Sequence, residues 1–227
     1  MLWLVIGGIA CGKSAFADEL ALAVGREGIR LSCPSFPGGE AAIPALSDSP
    51  GFYRTRSEAD ETLPGKIEAI NMESNFFRAE RRVVVVDSLS GWLRASFARS
   101  TGQGTRHASD GLSGTGLEAA PHAAGLAGTQ PGVTPDAAGL EAARWRETID
   151  TILAFEGRIV VVTEEPAAGL APTSRELEYA GKLAEANRVL LRASHSVYRM
   201  TAGMAVEMKG YRLKGGNDRN ENLYADR

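Results

Sequence analysis

The feature that most constrains the fold is a glycine-rich segment near the amino terminus, Gly7-Gly8-Ile9-Ala10-Cys11-Gly12-Lys13-Ser14. It fits the pattern G-x-x-x-x-G-K-[ST], in which glycines let backbone N–H groups surround phosphate oxygens. Apolar residues 2–6 predict a buried strand before it, and residues 15–24 predict a helix after it. This order is the context in which the pattern binds phosphate, because the helix N-terminus adds a partial positive charge.

Two side chains of this segment have predicted roles. Lys13 would contact the β- and γ-phosphates of a nucleotide, and the Ser14 hydroxyl would bind Mg²⁺. The alternative is a chance glycine-rich turn. The strand and the helix fall where the motif requires them, which favours the phosphate site.

The composition is that of a folded, mildly acidic domain. With 227 residues, 44% hydrophobic content and a formal net charge of −3, the chain can bury a core and has no strongly basic field for nucleic acids or membranes. Its two cysteines, Cys11 and Cys33, imply neither a disulfide framework nor a zinc site. The apolar run at 2–6 is too short for a signal peptide or a membrane span, so we expect a cytoplasmic protein.

Beyond the glycine loop, the first half predicts a strand, a long loop and a helix. Residues 28–33 predict a short strand. Residues 34–63, rich in Pro, Gly, Ser and Asp, predict a surface loop that either contacts substrate or simply connects elements. A break at Leu63-Pro64-Gly65 precedes residues 66–80, whose apolar side chains recur at helical spacing.

Asp87 follows four consecutive valines, Val83-Val84-Val85-Val86, which predict a central strand buried on both faces. In a chain with a phosphate loop, an acid at the carboxyl end of such a strand is a second ligand for Mg²⁺. The alternative is that Asp87 caps the helix predicted over 88–99, since Asp and Ser are favourable N-caps.

Residues 100–138 differ in composition from the rest of the chain. Gly, Ala, Ser, Thr and Pro dominate them, and such a segment cannot bury enough apolar surface to offset its chain entropy. They therefore predict a flexible insertion, in which His107 and His122 are incidental. We expect one P-loop nucleotide-binding domain over 1–213, interrupted by this insertion, and a polar tail over 214–227.

The second half continues the alternation of strands and helices. The predicted elements are a helix over 140–155, a strand over 158–163, a helix over 173–192 and a hairpin of strands over 196–200 and 204–208. Glu164-Glu165 follows the strand. Thr173 or Ser174 is expected to cap the second helix, with Glu176 as its first-turn acid.

The alternation predicts an α/β fold: a P-loop NTPase-like parallel sheet flanked by helices, with a C-terminal antiparallel hairpin. Functional residues in such sheets gather at the carboxyl ends of the strands. Besides the loop, the candidates at such ends are Ser32, Cys33, Asp87, Glu164 and Glu165.

Five segments share their order and spacing with the motifs of one enzyme family. They are residues 7–14, Tyr53-Arg54-Thr55-Arg56-Ser57-Glu58, Asp87-Ser88-Leu89-Ser90-Gly91-Trp92-Leu93, residues 163–172 and Asn187. The family motifs read roughly G-G-x-x-S-G-K-S, W-R-T-x-E, D-C-L-T-x-W-L, T-N-E-V-G-x-G-I-V-P and a single Asn. Over most of its length, except the insertion and the tail, the chain resembles the bifunctional adenosylcobinamide kinase/adenosylcobinamide-phosphate guanylyltransferase family of cobalamin biosynthesis.

The resemblance implies phosphorylation of adenosylcobinamide at its aminopropanol hydroxyl, with ATP or GTP as donor and Mg²⁺ held by Ser14 and Asp87. It also implies a corrinoid small-molecule substrate and a homo-oligomer. The charge and the short apolar runs described above already predict no nucleic-acid partner and no membrane span. The catalytic candidates are then Lys13, Asp87 and Glu165, of which Glu165 or Asp87 would orient or deprotonate the acceptor hydroxyl. Nucleotide contacts would come from all residues of the loop (7–14) and from Ser32, Cys33, Arg54, Glu58 and Asp87, with Arg54 and Glu58 at the base or ribose.

One departure from the family concerns its second activity. Family members transfer GMP through a histidine in the loop after the second strand, but this chain has no histidine before His107, and Pro44 or Ala45 stands at the expected place. Because a phosphoramide intermediate needs an imidazole nitrogen, GMP transfer to adenosylcobinamide phosphate is in question. His195, at the start of a late strand, is expected to be structural.

Two other functions fit the same residues. The chain could phosphorylate another small hydroxyl compound, or it could be a nucleotide-binding regulatory protein without transferase chemistry. The phosphate loop does not choose among them, because acceptor contacts lie in loops that follow no transferable code.

Overall fold

A computed structural model describes residues 1–33, 52–73, 81–100, 135–166 and 172–209, with only the backbone described at Arg54, Ser100 and residues 135–138. The elements in chain order are β1 (Leu2–Gly7), α1 (Lys13–Val24), β2 (Glu27–Ser32), β3 (Tyr53–Glu58), α2 (Leu63–Glu73), β4 (Arg82–Asp87), α3 (Leu89–Ser100), α4 (Pro135–Ala154), β5 (Arg158–Glu164), α5 (Ser174–Ala193), β6 (Ser196–Thr201) and β7 (Met204–Lys209).

The strands form one seven-stranded sheet in the order β3-β2-β4-β5-β1-β6-β7. Every neighbouring pair is parallel except β6 and β7, which form the predicted antiparallel hairpin. The α/β fold with a C-terminal hairpin is therefore confirmed. The order also places the carboxyl ends of β1, β2, β4 and β5 along one edge, where the loop after β1 begins.

The central strands are apolar on both sides because helices cover both faces of the sheet. Along β4, Val83 and Val85 pack toward α1, while Val84 and Val86 pack into the larger cluster on the opposite face. All four valines are fully buried. This is the pattern expected of a parallel strand inside a layered α/β domain.

The described helices divide unequally between the two faces. Helix α1 alone contributes buried residues to the cluster on its side, through Ala17, Leu20 and Ala21. The other four described helices contribute to the opposite cluster, in which Trp92 of α3 stacks on Trp145 of α4 with ring centroids 5.8 Å apart.

One prediction for this part of the chain is wrong. The long loop expected over 34–63 contains strand β3, which pairs in parallel with β2 at the edge of the sheet. Its sequence, Tyr-Arg-Thr-Arg-Ser-Glu, is polar because an edge strand has one neighbour and remains partly open to water. Residues 34–51 lie outside the described part of the chain.

The break predicted at Leu63-Pro64-Gly65 is instead the first turn of α2, which begins at Leu63. Pro is tolerated there because the first N–H groups of a helix have no intrahelical partner. The turn before the helix is stabilised by Asp60, whose side chain accepts a hydrogen bond from the Thr62 amide at 2.9 Å. The described helix ends at Glu73, so residues 74–80 of the predicted helix lie outside the description.

The other predicted helices are confirmed, with shifted ends. Helix α4 begins at Pro135, inside the last residues of the predicted insertion. Helix α5 begins with the expected capping box, in which Thr173 and Glu176 satisfy each other's backbone N–H groups. The remaining insertion residues, 101–134 with His107 and His122, and residues 210–227 lie outside the described chain. Among the helices that are described, none combines the length and the apolar character needed to cross a bilayer.

Candidate functional site

The glycine-rich segment forms the connection from β1 to α1, at the edge where the strands end. Gly12 has φ +91°, a left-handed conformation that glycine adopts without strain, and it directly precedes the first residue of α1. Ile9 and Ala10 are exposed, whereas Cys11 is half-buried. A strand, a tight loop and a helix N-terminus thus occur together in space as the motif predicts.

Gly7 lies where the loop leaves the sheet, and its neighbours approach closely. A Cβ atom at Gly7 would lie 2.6 Å from the carbonyl oxygen of Met200 in β6. The Gly203 amide, in the β6–β7 turn, donates to the Cys11 carbonyl at 3.1 Å, and the Glu165 amide donates to the Gly7 carbonyl at 3.2 Å. The loop is therefore held from both neighbouring strands.

Lys13 is the first residue of α1, and it is only 7% exposed. Its Nζ donates to the Gly8 carbonyl and lies 3.9 Å from Cys11 Sγ. The side chain therefore folds back along the loop. This places its ammonium group over the segment whose backbone would bind phosphate.

Ser14 and Asp87 meet at the same edge of the sheet. The Ser14 hydroxyl donates to Asp87 Oδ1 at 3.1 Å. Asp87 does not cap α3; Ser88 does, because its Oγ accepts a hydrogen bond from the Gly91 amide at 3.2 Å. The structure thus places Asp87 beside the phosphate loop and gives the helix cap to Ser88.

The donor set suits Mg²⁺, which prefers oxygen ligands and is usually bound by one or two protein groups together with substrate phosphates. Ser14 supplies a hydroxyl and Asp87 a carboxylate. In the described ranges, no group of three His, Cys, Asp or Glu side chains is arranged to hold a metal by itself. These two residues would therefore hold the ion together with the phosphates of a nucleotide.

Behind Asp87 lies a buried charged cluster that sequence reasoning missed. Arg30 of β2 donates to Asp18 of α1 and to Asp87 Oδ2, and the Tyr53 hydroxyl donates to Asp18 Oδ1 at 2.5 Å. Burial raises the pKa of Asp18, against the opposing effects of the Tyr53 hydrogen bond and the Arg30 charge. Burial also opposes the charge on Arg30, but Asp87 and Asp18 outweigh it and raise the pKa of that guanidinium.

A sequence signal for this cluster exists, although it is weak. Arg30 stands between Ile29 and Leu31, which are buried on the other face of β2. Asp18 interrupts the apolar side of α1, between Ala17 and Leu20. A charged residue facing inward on each of two neighbouring elements suggests an ion pair, because a buried charge needs a partner.

The two acids after β5 have separate partners. Glu165 lies beside Gly7 and forms an ion pair with Arg199 at 2.9 Å; its side chain is 41% exposed. Glu164 is more buried and pairs with Arg94 of α3 at 2.8 Å. Of the two, Glu165 is the more accessible carboxylate near the loop.

Asn187, which the family resemblance singled out, is buried and contacts the end of β5. Its side-chain nitrogen donates to the Glu164 carbonyl at 2.8 Å, and its oxygen accepts from the Thr163 hydroxyl at 2.9 Å. It fixes the carboxyl end of β5 from helix α5. The structure thus gives it a supporting place behind the candidate site.

The remaining candidates lie at the ends of β2 and β3. Ser32 is exposed, whereas Cys33 is buried and its amide donates to the Asp87 carbonyl at 2.7 Å. Burial raises the pKa of the Cys33 thiol, so this group stays protonated and unreactive. Glu58 is exposed at the end of β3, next to Ser32 in register. For Arg54 the backbone lies in β3, and its side chain is outside the description.

His195 lies near the amino ends of the strands, whereas the loop follows the carboxyl end of β1. Its amide donates to the Leu2 carbonyl at 2.7 Å, at the amino end of β1, and its ring meets the Trp3 ring edge-on with centroids 6.2 Å apart. This position supports the structural role expected for it.

Comparisons with known proteins leave the family of this chain open. No protein-family model matches the sequence, and no curated protein matches it. The similar solved structures include one titled as an ATPase domain, aligned over 87% of this chain and 68% of its own at 10% identity and a TM-score of 0.38. So distant a likeness carries no functional argument.

Proposed function

We propose that the protein is a Mg²⁺-dependent kinase that transfers the γ-phosphoryl group of ATP or GTP to a hydroxyl group. The observation that carries this proposal is the 3.1 Å contact between the hydroxyl of Ser14, in the first turn of α1, and the carboxylate of Asp87, at the end of β4. It joins two oxygen donors directly beside the motif that would bind the triphosphate. Phosphoryl transfer needs this combination of positioning and charge stabilisation.

The loop and the start of α1 would bind the phosphates of the donor. Backbone N–H groups at the helix N-terminus supply hydrogen bonds and partial positive charge. The Lys13 ammonium would exchange its contact with the Gly8 carbonyl for contacts with β- and γ-phosphate oxygens. It would then stabilise the charge on the transferred group, where most of the catalysis arises.

Mg²⁺, held by Ser14 and Asp87, would supply further positive charge on the phosphate oxygens. The acceptor oxygen forms a bond to the γ-phosphorus while the bond to the bridging oxygen breaks, and the nucleoside diphosphate leaves. The hydroxyl proton passes to a carboxylate. Glu165 suits this task better than Asp87, because its side chain is 41% exposed whereas that of Asp87 is 11% exposed. Both Glu165 oxygens pair with Arg199, so that exposed arginine would have to release one of them.

For the acceptor we propose adenosylcobinamide, phosphorylated at its aminopropanol hydroxyl, as a step of cobalamin biosynthesis. The support is the order of the motifs around the loop, Asp87, Glu165 and Asn187, which resembles that of the adenosylcobinamide kinase family. This proposal includes that family's homo-oligomeric state and a cytoplasmic location.

The second activity of that family, GMP transfer, is not part of the proposal. The expected position of the guanylylated histidine holds Pro44 or Ala45. Among the histidines, His195 lies at the far edge of the sheet and cannot act at the loop. Label from α-labelled GTP that stayed on the denatured protein would show that another nucleophile restores this chemistry.

The test is to incubate the protein with γ-labelled ATP or GTP, Mg²⁺ and adenosylcobinamide, and to look for a labelled corrinoid. We expect labelled adenosylcobinamide phosphate from the wild type and roughly 100-fold less, or lower still, from K13A. Small amino alcohols and threonine, assayed in parallel, test for another acceptor. If nucleotide binds but no acceptor is ever phosphorylated, the chain is a nucleotide-binding regulator and the kinase proposal fails.

A further inference from the structure

Arg30 is the hub of the buried charged cluster behind the candidate metal site. Its two terminal nitrogens are divided between two carboxylates: Nη1 donates to Asp18 Oδ1 and Nη2 to Asp87 Oδ2. The side chains of Arg30, Asp18 and Asp87 are 13%, 5% and 11% exposed. The guanidinium is thus enclosed, and its planar fork matches the two acids it joins.

Tyr53 extends this cluster to the edge of the sheet. Its hydroxyl donates to the same Asp18 oxygen that Arg30 contacts, at 2.5 Å, and its ring lies 5.8 Å from the Arg30 guanidinium carbon. Polar contacts therefore run from β3 through α1 and β2 to β4, and end at Ser14 in the first turn of α1.

The two oxygens of Asp87 have different partners. Oδ2 is held by Arg30, whereas Oδ1 faces the Ser14 hydroxyl. A carboxylate that is held through one oxygen cannot rotate freely, so the other oxygen keeps its direction. Outer contacts of this kind orient metal ligands in general.

We propose that Arg30 is a positioning residue for Mg²⁺: it fixes Asp87 so that Oδ1 and the Ser14 hydroxyl stay together beside the phosphate loop. This inference rests on the proposed function, because it assigns Ser14 and Asp87 as the ligands. It adds a requirement that the loop motif does not contain. Efficient use of Mg²⁺ depends on an arginine in β2 that touches neither the nucleotide nor the metal.

The test is the Mg²⁺ dependence of nucleotide binding, measured by fluorescence with ATP and GTP that carry a ribose fluorophore. We expect R30M to raise the half-saturating Mg²⁺ concentration roughly 10-fold or more, the usual effect of losing such an outer contact. Binding of the same nucleotides in excess EDTA should stay within about twofold of wild type, because the contacts of the loop are intact.

The chain offers a matched control in Arg82. It also joins β4 to β2, through a 3.2 Å ion pair with Glu27, and it is similarly buried. It lies at the amino end of β4, far from the loop. R82M should therefore leave the Mg²⁺ response at the wild-type level, whatever it does to stability.

Two further variants separate charge from orientation and guard against a variant that does not fold. R30K keeps the charge but cannot bridge both acids with one ammonium, so it should also raise the half-saturating Mg²⁺ concentration, on the order of 10-fold. The double variant R30M/D18N restores the local charge balance and should still require more Mg²⁺ than wild type. If R30M does not fold, R30K decides the question.

Three results would overturn the inference. If Mg²⁺ tightens nucleotide binding in the wild type, and R30M and R30K show the same half-saturating Mg²⁺ concentration as the wild type, Arg30 does not position the ligand. If R30M/D18N regains the wild-type response, the effect is one of charge alone and positioning is wrong. If the wild type binds neither nucleotide more tightly with Mg²⁺, the proposed function fails and this inference fails with it.

Discussion

The Ser14 hydroxyl lies 3.1 Å from Asp87 Oδ1, across 73 residues of sequence. The contact exists because β1 and β4, each apolar and buried, end at the same edge of a parallel sheet. The loop after β1 leads directly into α1, whose second residue is Ser14, and the last residue of β4 is Asp87. Two separate sequence signals, a motif and an acid after four valines, thus converge on one point in space.

Replacing Lys13 by Ala should remove most phosphoryl transfer, by roughly 100-fold or more, because a charge aimed at the transferred group is lost. Transfer of label from γ-labelled ATP or GTP measures the effect. The control is K66A, since Lys66 is a lysine of α2 that contacts the Glu58 carbonyl and Asp60 instead of the loop. Equal rates in wild type and K13A would rule out a catalytic role for Lys13.

Two glycines of the loop should respond differently to Ala. At Gly7 the new Cβ would lie 2.6 Å from the Met200 carbonyl oxygen, whereas at Gly8 it meets no atom within 4 Å. G7A should therefore lower the free energy of unfolding by about 1–3 kcal/mol, as overpacking does, and G8A should stay close to wild type. Urea denaturation of both variants measures these stabilities. Similar stabilities would show that Gly7 does not lie as close to the Met200 carbonyl oxygen as described.

Asn187 offers a test of structural against catalytic importance. N187A leaves the Thr163 hydroxyl and the Glu164 carbonyl without their partner, and such buried losses cost about 1–3 kcal/mol of stability. N71A is the control, because Asn71 accepts one exposed hydrogen bond from the Glu156 amide. We expect a lower unfolding free energy for N187A with a normal affinity for nucleotide. Normal stability with lost transfer would instead make Asn187 part of the catalytic site.

The turn before α2 gives a prediction about pH. The Thr62 hydroxyl, with help from the Thr62 amide and Lys66, lowers the pKa of Asp60 from its ordinary value of 3.8 to about 2. The ionised Asp60 carboxylate therefore contributes to stability above pH 3.8, and this contribution is lost as the pH falls through about 2. T62A should move the pKa of Asp60 toward 3.8, as measured by NMR titration of the carboxyl carbon.

T151A is the control for that titration, because the Thr151 hydroxyl donates to the Glu147 carbonyl within α4 and does not contact Asp60. The pKa of Asp60 should remain at about 2 in this variant. An unchanged pKa in T62A would mean that the Thr62 hydroxyl is not the main cause of the shift.

The sequence was sufficient for the parts of the fold whose signals are local. The valine run of β4 and the alternation of apolar strands with helices are read directly from neighbouring residues, and the capping box of α5 lies within four residues. Strand β3 was missed for a physical reason. An edge strand exposes much of its surface, so its sequence carries charged and polar residues instead of an apolar run.

The candidate site also contains residues that the sequence predicts and residues that it does not. The loop, Lys13, Ser14 and Asp87 were predictable because each belongs to a motif or to the end of an apolar strand. The cluster of Asp18, Arg30 and Tyr53 was not, because it depends on which strands become neighbours and which face of each strand meets α1. Pairing of that kind is decided by tertiary structure.

Nucleotide binding at the phosphate loop is tested most directly by calorimetric titration of the wild-type protein with ATP and with GTP, in Mg²⁺ and in excess EDTA. We expect at least one triphosphate to bind, and we expect Mg²⁺ to tighten this binding in the wild type but to have little effect in S14A. If neither triphosphate binds in the presence of Mg²⁺, the assignment of this loop is wrong. If S14A shows the same Mg²⁺ effect as the wild type, the assignment of the metal site is wrong.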